Sequence, residues 1–332
     1  MNRGAASRRR AGAAAAGSQP VRAAFFGSGP FAIPILEAAL GLPELSIVGV
    51  VSTPDRPAGR GHRLASSPVV ERARTLGIPI LQPGSLRDPG SIEAIADLGV
   101  ELGLLADYGR LVPPSVLGIP ARGFLNVHPS LLPRHRGATP IQTTILEGDA
   151  EAGVSIFEMD AGLDTGPIVA SMAWPLRGDE TGPELEGEAA RRGGRLVADV
   201  LPEWLAGRRP AAPQPVAGAT LTRPLRREDG RLDPDLPAAA LARRVRALQP
   251  WPGAWIETEA GRLAVIDAAA APGSPGGPGE RRGTVIADGD GIAVATPGGR
   301  LRLLMVRPAG GRTMTGAELR RGRPALVGSV VV

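Results

Sequence analysis

From Val21 onward, short apolar runs alternate with segments of helical spacing, and glycine or proline marks most of the changeovers. Val21–Phe26, Ile47–Ser52, Ile78–Leu81, Val100–Ala106 and Phe124–Val127 read as strands, with Pro68–Leu76 and Ser91–Leu98 as helices between them. Consecutive parallel strands need a crossover, usually a helix, so this alternation predicts βαβ units and a mostly parallel α/β sheet. The pattern continues with a helix over Thr139–Glu147, for which Thr139 is the expected N-cap and Pro140 the first helical residue. Val154–Met159 and Ile168–Ala173 read as further strands, and Leu185–Leu205 as a helix with an Arg-rich outer face.

The pattern changes after a Pro- and Gly-rich stretch, Gly207–Ala219. Short strand-like runs follow at Arg262–Ile266, Gly283–Ala287, Gly291–Thr296 and Leu301–Val306, each bounded by Gly, Pro or Asp. Their spacing predicts a small β-barrel or sandwich. The expected organisation is a disordered tail over 1–20, a first domain over 21–206, a linker over 207–222 and a second domain over 223–332. Residues 271–282 read as a flexible, low-complexity insertion.

Composition narrows the chemistry. Cysteine is absent, which excludes disulfides, thiolate metal ligands and a Cys nucleophile. Lysine is absent too, so no Schiff-base mechanism is open to this chain. The net charge of +5 is carried by arginine and suggests an anionic partner such as RNA, although the Ala-, Gly- and Pro-rich composition accounts for the missing lysine. No apolar run is long enough to span a bilayer.

One stretch, GFLNVHPSLLPRHRG from Gly123 to Gly137, concentrates polar function on an apolar strand. Asn126 and His128 project from the same face, about 7 Å apart along it, while Leu125 and Val127 face a core. Burying two such side chains is costly unless something uses them. They lie at the carboxyl end of a parallel strand, where open α/β sheets build their sites. A second stretch, MDAGLDTGPI, places Asp164 in a Gly-rich loop between strands. An imidazole moves protons near neutral pH, an Asn amide stabilises an oxyanion, and a carboxylate orients the imidazole. Ser130 lacks the turn of a hydrolase nucleophile, and Ser155 reads as structural.

Two other features stand out. Gly27-Ser28-Gly29 follows a strand, with Ala32 at the third fingerprint position and Asp55 as a ribose partner, but a tight strand-to-helix turn accounts for it better than a nucleotide site. Residues 53–68 form an expected long loop carrying Arg56, Arg60, His62 and Arg63, a set suited to phosphate contacts.

Taken in order, FFGSGPFAIPIL, PDRPAGRGHRL, DYGRLVP, the long FLNVHPSLLPRHRGATPIQTTILEGDAEAGVSIFEMDAGLDTGPIV, REDGRLD and RALQPWPGAW resemble the folate-dependent formyltransferases from about Val21 to the C-terminus. The resemblance implies a Rossmann-like domain followed by a small OB-like β-barrel domain. It implies 10-formyltetrahydrofolate as formyl donor and the α-amino group of methionyl initiator tRNA as acceptor. It also implies that Asn126, His128 and Asp164 are catalytic, and that Ser130, Leu131, Leu132 and Pro133 bind folate. Arg56, Arg60, His62 and Arg63 fall on the loop that reaches the tRNA, and the second domain on the part that holds it. No metal is needed, because the formyl group is already activated on the folate. A cytoplasmic monomer with no membrane association is expected. The chain departs from the pattern at His62 and Arg63, where lysines are common, at Asp107, where a small residue is usual, and at His135, where an aromatic is common. Formyltransferases acting on amino-sugar nucleotides or glycinamide ribonucleotide share the polar core. A non-catalytic RNA-binding protein would need none of it.

Overall fold

The computed structural model describes residues 19–58, 63–273 and 281–331. Most of the basic tail, Arg60, His62 and most of the 271–282 insertion lie outside the described residues. β1 (Val21–Gly27) leads through the glycine turn into α1 (Ala32–Leu40), and β2 (Leu45–Val51) follows. Next come β3 (Arg56–Ala58), β4 (Arg63–Ala65), α2 (Pro68–Leu76), β5 (Ile80–Leu81) and α3 (Pro89–Ala96). β6 (Leu102–Ala106), α4 (Pro114–Leu117) and β7 (Phe124–His128) complete the βα alternation. They are followed by β8 (Arg136–Gly137), α5 (Pro140–Glu147), β9 (Glu151–Glu158), β10 (Ile168–Pro175) and α6 (Gly182–Leu205).

The main sheet has seven strands in the order β10-β9-β7-β6-β1-β2-β5. The pairs from β7 to β5 are parallel, and β9 and β10 add antiparallel partners at one edge. The order reverses between β1 and β6, which sets a crevice at their carboxyl ends beside β7. All five residues of β6 are buried, as expected of a parallel strand covered on both faces. One core, holding Leu125 and Val127, lies against α1, α5 and α6; another, holding Phe26, Tyr108 and Phe124, covers the opposite face. Each large side chain so buried contributes about 1.5–3 kcal/mol. Gly103 on β6 makes room for its neighbour, since a Cβ there would lie 2.2 Å from the Phe124 ring. α6 opens with a reciprocal Thr181–Glu184 cap.

Two local expectations change. Residues 53–68 are not loop throughout, because β3 and β4 pair as a short hairpin within them. Thr139 stands at the start of α5 but makes no side-chain cap. Its hydroxyl donates instead to the Arg223 carbonyl at 2.9 Å, since the passing chain offers a nearer partner.

Beyond α6, β11 (Leu221–Thr222) pairs with β8, and α7 (Ala238–Ala247) precedes a second sheet. That sheet contains β12 (Ala254–Thr258), β13 (Gly261–Pro272), β14 (Val285–Asp288), β15 (Gly291–Thr296), β16 (Gly299–Pro308) and β17 (Met314–Thr315), followed by α8 (Gly316–Gly322). It is antiparallel throughout, in the order β12-β13-β16-β15-β14 with β17 on β16. Register shifts along β13 bend it around its own core. β12, β17 and α7 extend the sequence reading. The apolar stripe of α7 rests on small residues, Ala238 and Ala242 beside Leu241 and Val245, and arginines interrupt it. Arg243 on α7 donates to the Leu146 carbonyl on α5 at 3.0 Å, tying the two halves together. Among the described residues no helix is long and apolar enough to cross a membrane.

Candidate active site

β7 positions the first two polar side chains. It lies between β6 and β9, with Asn126 opposite both Leu105 and Phe157, and His128 opposite Ser155. Leu125 and Val127 turn into the core, so Asn126 and His128 share the other face. Both are buried, at 7% and 5% exposure. Among the described residues no hydrogen bond holds the Asn126 amide, and its polar atoms are not sealed from solvent, so they stay open to a ligand. The His128 ring packs edge-on against Phe157 and is hydrogen-bonded through Nε2 to the His135 carbonyl at 3.0 Å. A carbonyl only accepts, so Nε2 is the donor and Nδ1 is left for exchange.

Asp164 reaches this nitrogen from the loop between β9 and β10. Its Oδ2 lies 3.8 Å from His128 Nδ1 and accepts the Gly137 N–H at 2.7 Å. Asp164 has φ +53°, a left-handed conformation that Asp tolerates better than most residues. The structure thus gathers Asn126, His128 and Asp164 at one end of β7. A group docking beside Nδ1 and Oδ2 would meet an acceptor and an exchangeable nitrogen together.

The segment after β7 turns partly inward. Ser130 is 1% exposed, and its hydroxyl donates to the Arg134 carbonyl at 2.7 Å, which commits it to the turn. Leu132 is buried, while Leu131 and Pro133 are half-buried and offer the apolar surface of the segment. Arg56 is exposed on the β3–β4 hairpin; Arg60 and His62 lie outside the described residues, and Arg63 enters only through its backbone in β4.

The glycine turn is filled by the protein itself. A Cβ at Gly29 would lie 1.7 Å from Asp107 Oδ2, so the Asp107 carboxylate presses on the turn where a phosphate would sit. Its side chain is open to solvent yet ringed by protein at the floor of the crevice. Desolvation by those surrounding groups, with the Glu186 carboxylate nearby, pushes its carboxyl up to about 7. The Ser28 hydroxyl turns inward to the Tyr108 carbonyl at 3.2 Å. Asp55 is bound by Gln82 and Ser66, and those hydrogen bonds hold its carboxyl low. Neither half of a dinucleotide site is free. Among the described residues no group of three or more His, Cys, Asp or Glu could hold a metal ion.

Residues 21–201 match the Formyl transferase family, and residues 224–324 match the Formyl transferase C-terminal domain. The chain belongs to the formyltransferase family. This formyltransferase is 42% identical over 309 residues to the methionyl-tRNA formyltransferase of Myxococcus xanthus, covering 93% of this chain and 97% of that protein. It is 42% identical over 306 residues to the methionyl-tRNA formyltransferase of Thermus thermophilus, covering 91% and 96%. The fold is shared with the N-formyltransferase of Helicobacter canadensis, solved with folinic acid and dTDP-3-aminofucose. That match has a TM-score of 0.64 at 14% identity, covering 85% of this chain and 98% of that one.

Two further residues that the strand pattern conceals close on Asp164. Gln214, from the stretch between the two sheets, donates to the carbonyls of Asp164 and Gly166 at 2.9 and 2.7 Å. Gly137 supplies the N–H that Asp164 accepts. The only sequence signal for Gln214 is one polar side chain in a run of Pro and Ala.

Proposed function

We propose that this formyltransferase moves the formyl group of 10-formyltetrahydrofolate to the α-amino group of methionyl initiator tRNA, for the initiation of translation. The observation that carries the reading is identity of 42% across nearly the full length of a methionyl-tRNA formyltransferase, with the Asn126–His128–Asp164 cluster at the sheet's carboxyl edge.

The amine of the aminoacyl ester adds to the formyl carbon, and the bond from that carbon to the folate nitrogen breaks. The Asn126 amide, unpaired among the described residues, donates to the oxygen as negative charge develops there. His128 donates to the same oxygen from Nδ1 while Nε2 stays on the His135 carbonyl. Asp164 faces Nδ1, stabilises the charged ring and assists the proton from the attacking amine toward the leaving folate nitrogen. Leu131 and Pro133 form an apolar wall for the folate, with Ser130 and Leu132 holding the turn behind it.

Residues 21–206 are assigned to catalysis, 207–222 to the connection and 223–332 to holding the tRNA. Arg56, Arg60, His62 and Arg63 belong to the loop that meets its acceptor end. The enzyme is assigned to the cytoplasm and to a monomeric state. An assay of one formyl donor against methionyl-tRNA, an amino-sugar nucleotide and glycinamide ribonucleotide tests the reading. Formylation of methionyl-tRNA alone is expected; turnover of either small acceptor in its place would overturn the assignment.

A further inference from the structure

Behind the His128–Asp164 couple stands a second one. His135 is 4% exposed, and its Nε2 lies 2.7 Å from Asp149 Oδ2. A carboxylate only accepts, so that nitrogen is the donor. The His135 backbone has φ +57°, which costs a residue with a side chain roughly 1–2 kcal/mol. Two contacts from distant parts of the chain hold it there. Asp149, between α5 and β9, takes the ring, and Thr220, just before β11, accepts the His135 N–H through its hydroxyl at 2.8 Å. Arg134 also binds the Asp149 carboxylate and fixes its direction.

The product of this clamp is the aim of one carbonyl. The His135 oxygen meets His128 Nε2 at 3.0 Å, with both residues buried. A histidine's tautomer is set by the hydrogen bond its other nitrogen makes. With Nε2–H committed to a carbonyl, every proton that His128 takes or gives passes through Nδ1, on the side of Asp164. A ring released from that carbonyl would change tautomer and move its neutral lone pair from Nδ1 to Nε2, away from Asp164.

We propose that His135 is a positioning residue for formyl transfer, clamped by Asp149 and Thr220 so that its carbonyl fixes the ring and tautomer of His128. The proposal rests on the reading of His128 as the proton-handling group. The side chain of His135 acts only by holding its own backbone. A residue that tolerates left-handed φ should therefore replace it, and a β-branched one should not.

The test compares His135→Asn, His135→Val and Thr220→Val by steady-state kinetics with methionyl-tRNA and the folate donor. It adds the ¹⁵N spectrum of the histidine rings in the full-length protein without substrates. With three histidines in the chain, the His128 signal can be assigned by loss in His128→Gln. Wild type should show the Nε2–H form for neutral His128. His135→Val should lower kcat roughly tenfold to a hundredfold with little change in either KM, and should mix the tautomers. His135→Asn should keep most of kcat and the wild-type tautomer. Thr220→Val, nearly isosteric, should lower kcat in the same direction and guards against failure of His135→Val to fold. The proposal is overturned if wild type shows the Nδ1–H form, if His135→Asn loses as much kcat as His135→Val, or if Thr220→Val leaves kcat and tautomer untouched. The tautomer is read without any acceptor, so it stands or falls separately from the assignment of the substrate.

Discussion

Gln214 donates its side-chain amide to the Asp164 carbonyl at 2.9 Å, and its Oε1 accepts from Arg136 Nε and Nη2 at 3.1 and 2.7 Å. A residue between the two sheets thus braces the loop that presents the carboxylate to His128. The same stretch pairs Ala212 with Ile168, so it is laid along the site as well as connecting the sheets.

Gln214→Ala should lower kcat by about tenfold or more, because a small displacement of a catalytic group is costly. The melting temperature should fall only modestly, since the lost bonds are only part-buried. Steady-state formyl-transfer kinetics beside a thermal melt decide it. A wild-type kcat would show that Asp164 keeps its position without the brace.

His128→Ala and Asp164→Ala should each lower kcat by about 10²–10⁴-fold. Asn126→Ala should cost about 10²–10³-fold, as expected for loss of one oxyanion donor. Circular dichroism should remain that of the folded protein. Near-wild-type turnover in Asp164→Ala would remove that residue from the mechanism.

Asp107 makes a prediction about stability. Its carboxyl is raised from 3.8 to about 7, first by desolvation and then by the charge of Glu186. Across that window the folded protein retains a proton that the unfolded chain has released, so this group's contribution to stability falls as pH rises. Asp107→Asn removes the dependence. Urea midpoints should show the variant gaining on wild type from pH 3.8 up to about 7, with no further gain above. A difference that stays constant through the window would contradict the raised carboxyl.

The hairpin that carries Arg56 should act on the RNA backbone. Arg56→Ala and Arg60→Ala should raise KM for tRNA and reduce the salt dependence of binding by about one counterion per lost contact. kcat at saturating tRNA should change little. An unaltered salt slope in both would argue against phosphate contact.

Much of the fold was legible in the sequence because parallel strands buried on both faces must be apolar almost throughout, as β6 is. The crossover helices announced themselves through Pro and Ser at their starts, as at Ser67 and Pro68 of α2. Asn126 and His128 were legible because the period of a strand is two, and two polar residues at that spacing on an apolar strand share one face. α7 escapes the pattern because its stripe is built on alanine, and β12 and β17 are short runs of five and two residues that give little period to read.

Strand period, helix caps and the order of the motifs follow from neighbours a few residues apart, so the chain's α/β class and its polar strand end are properties of the sequence alone. Tertiary structure decided the contacts that close across long separations: Asp164 onto His128, Gln214 onto Asp164, and Asp107 onto Gly29. It also decided that His128 offers Nδ1 rather than Nε2. That choice depends on the direction of the His135 carbonyl, held by Thr220 from 85 residues away, and no local pattern encodes it.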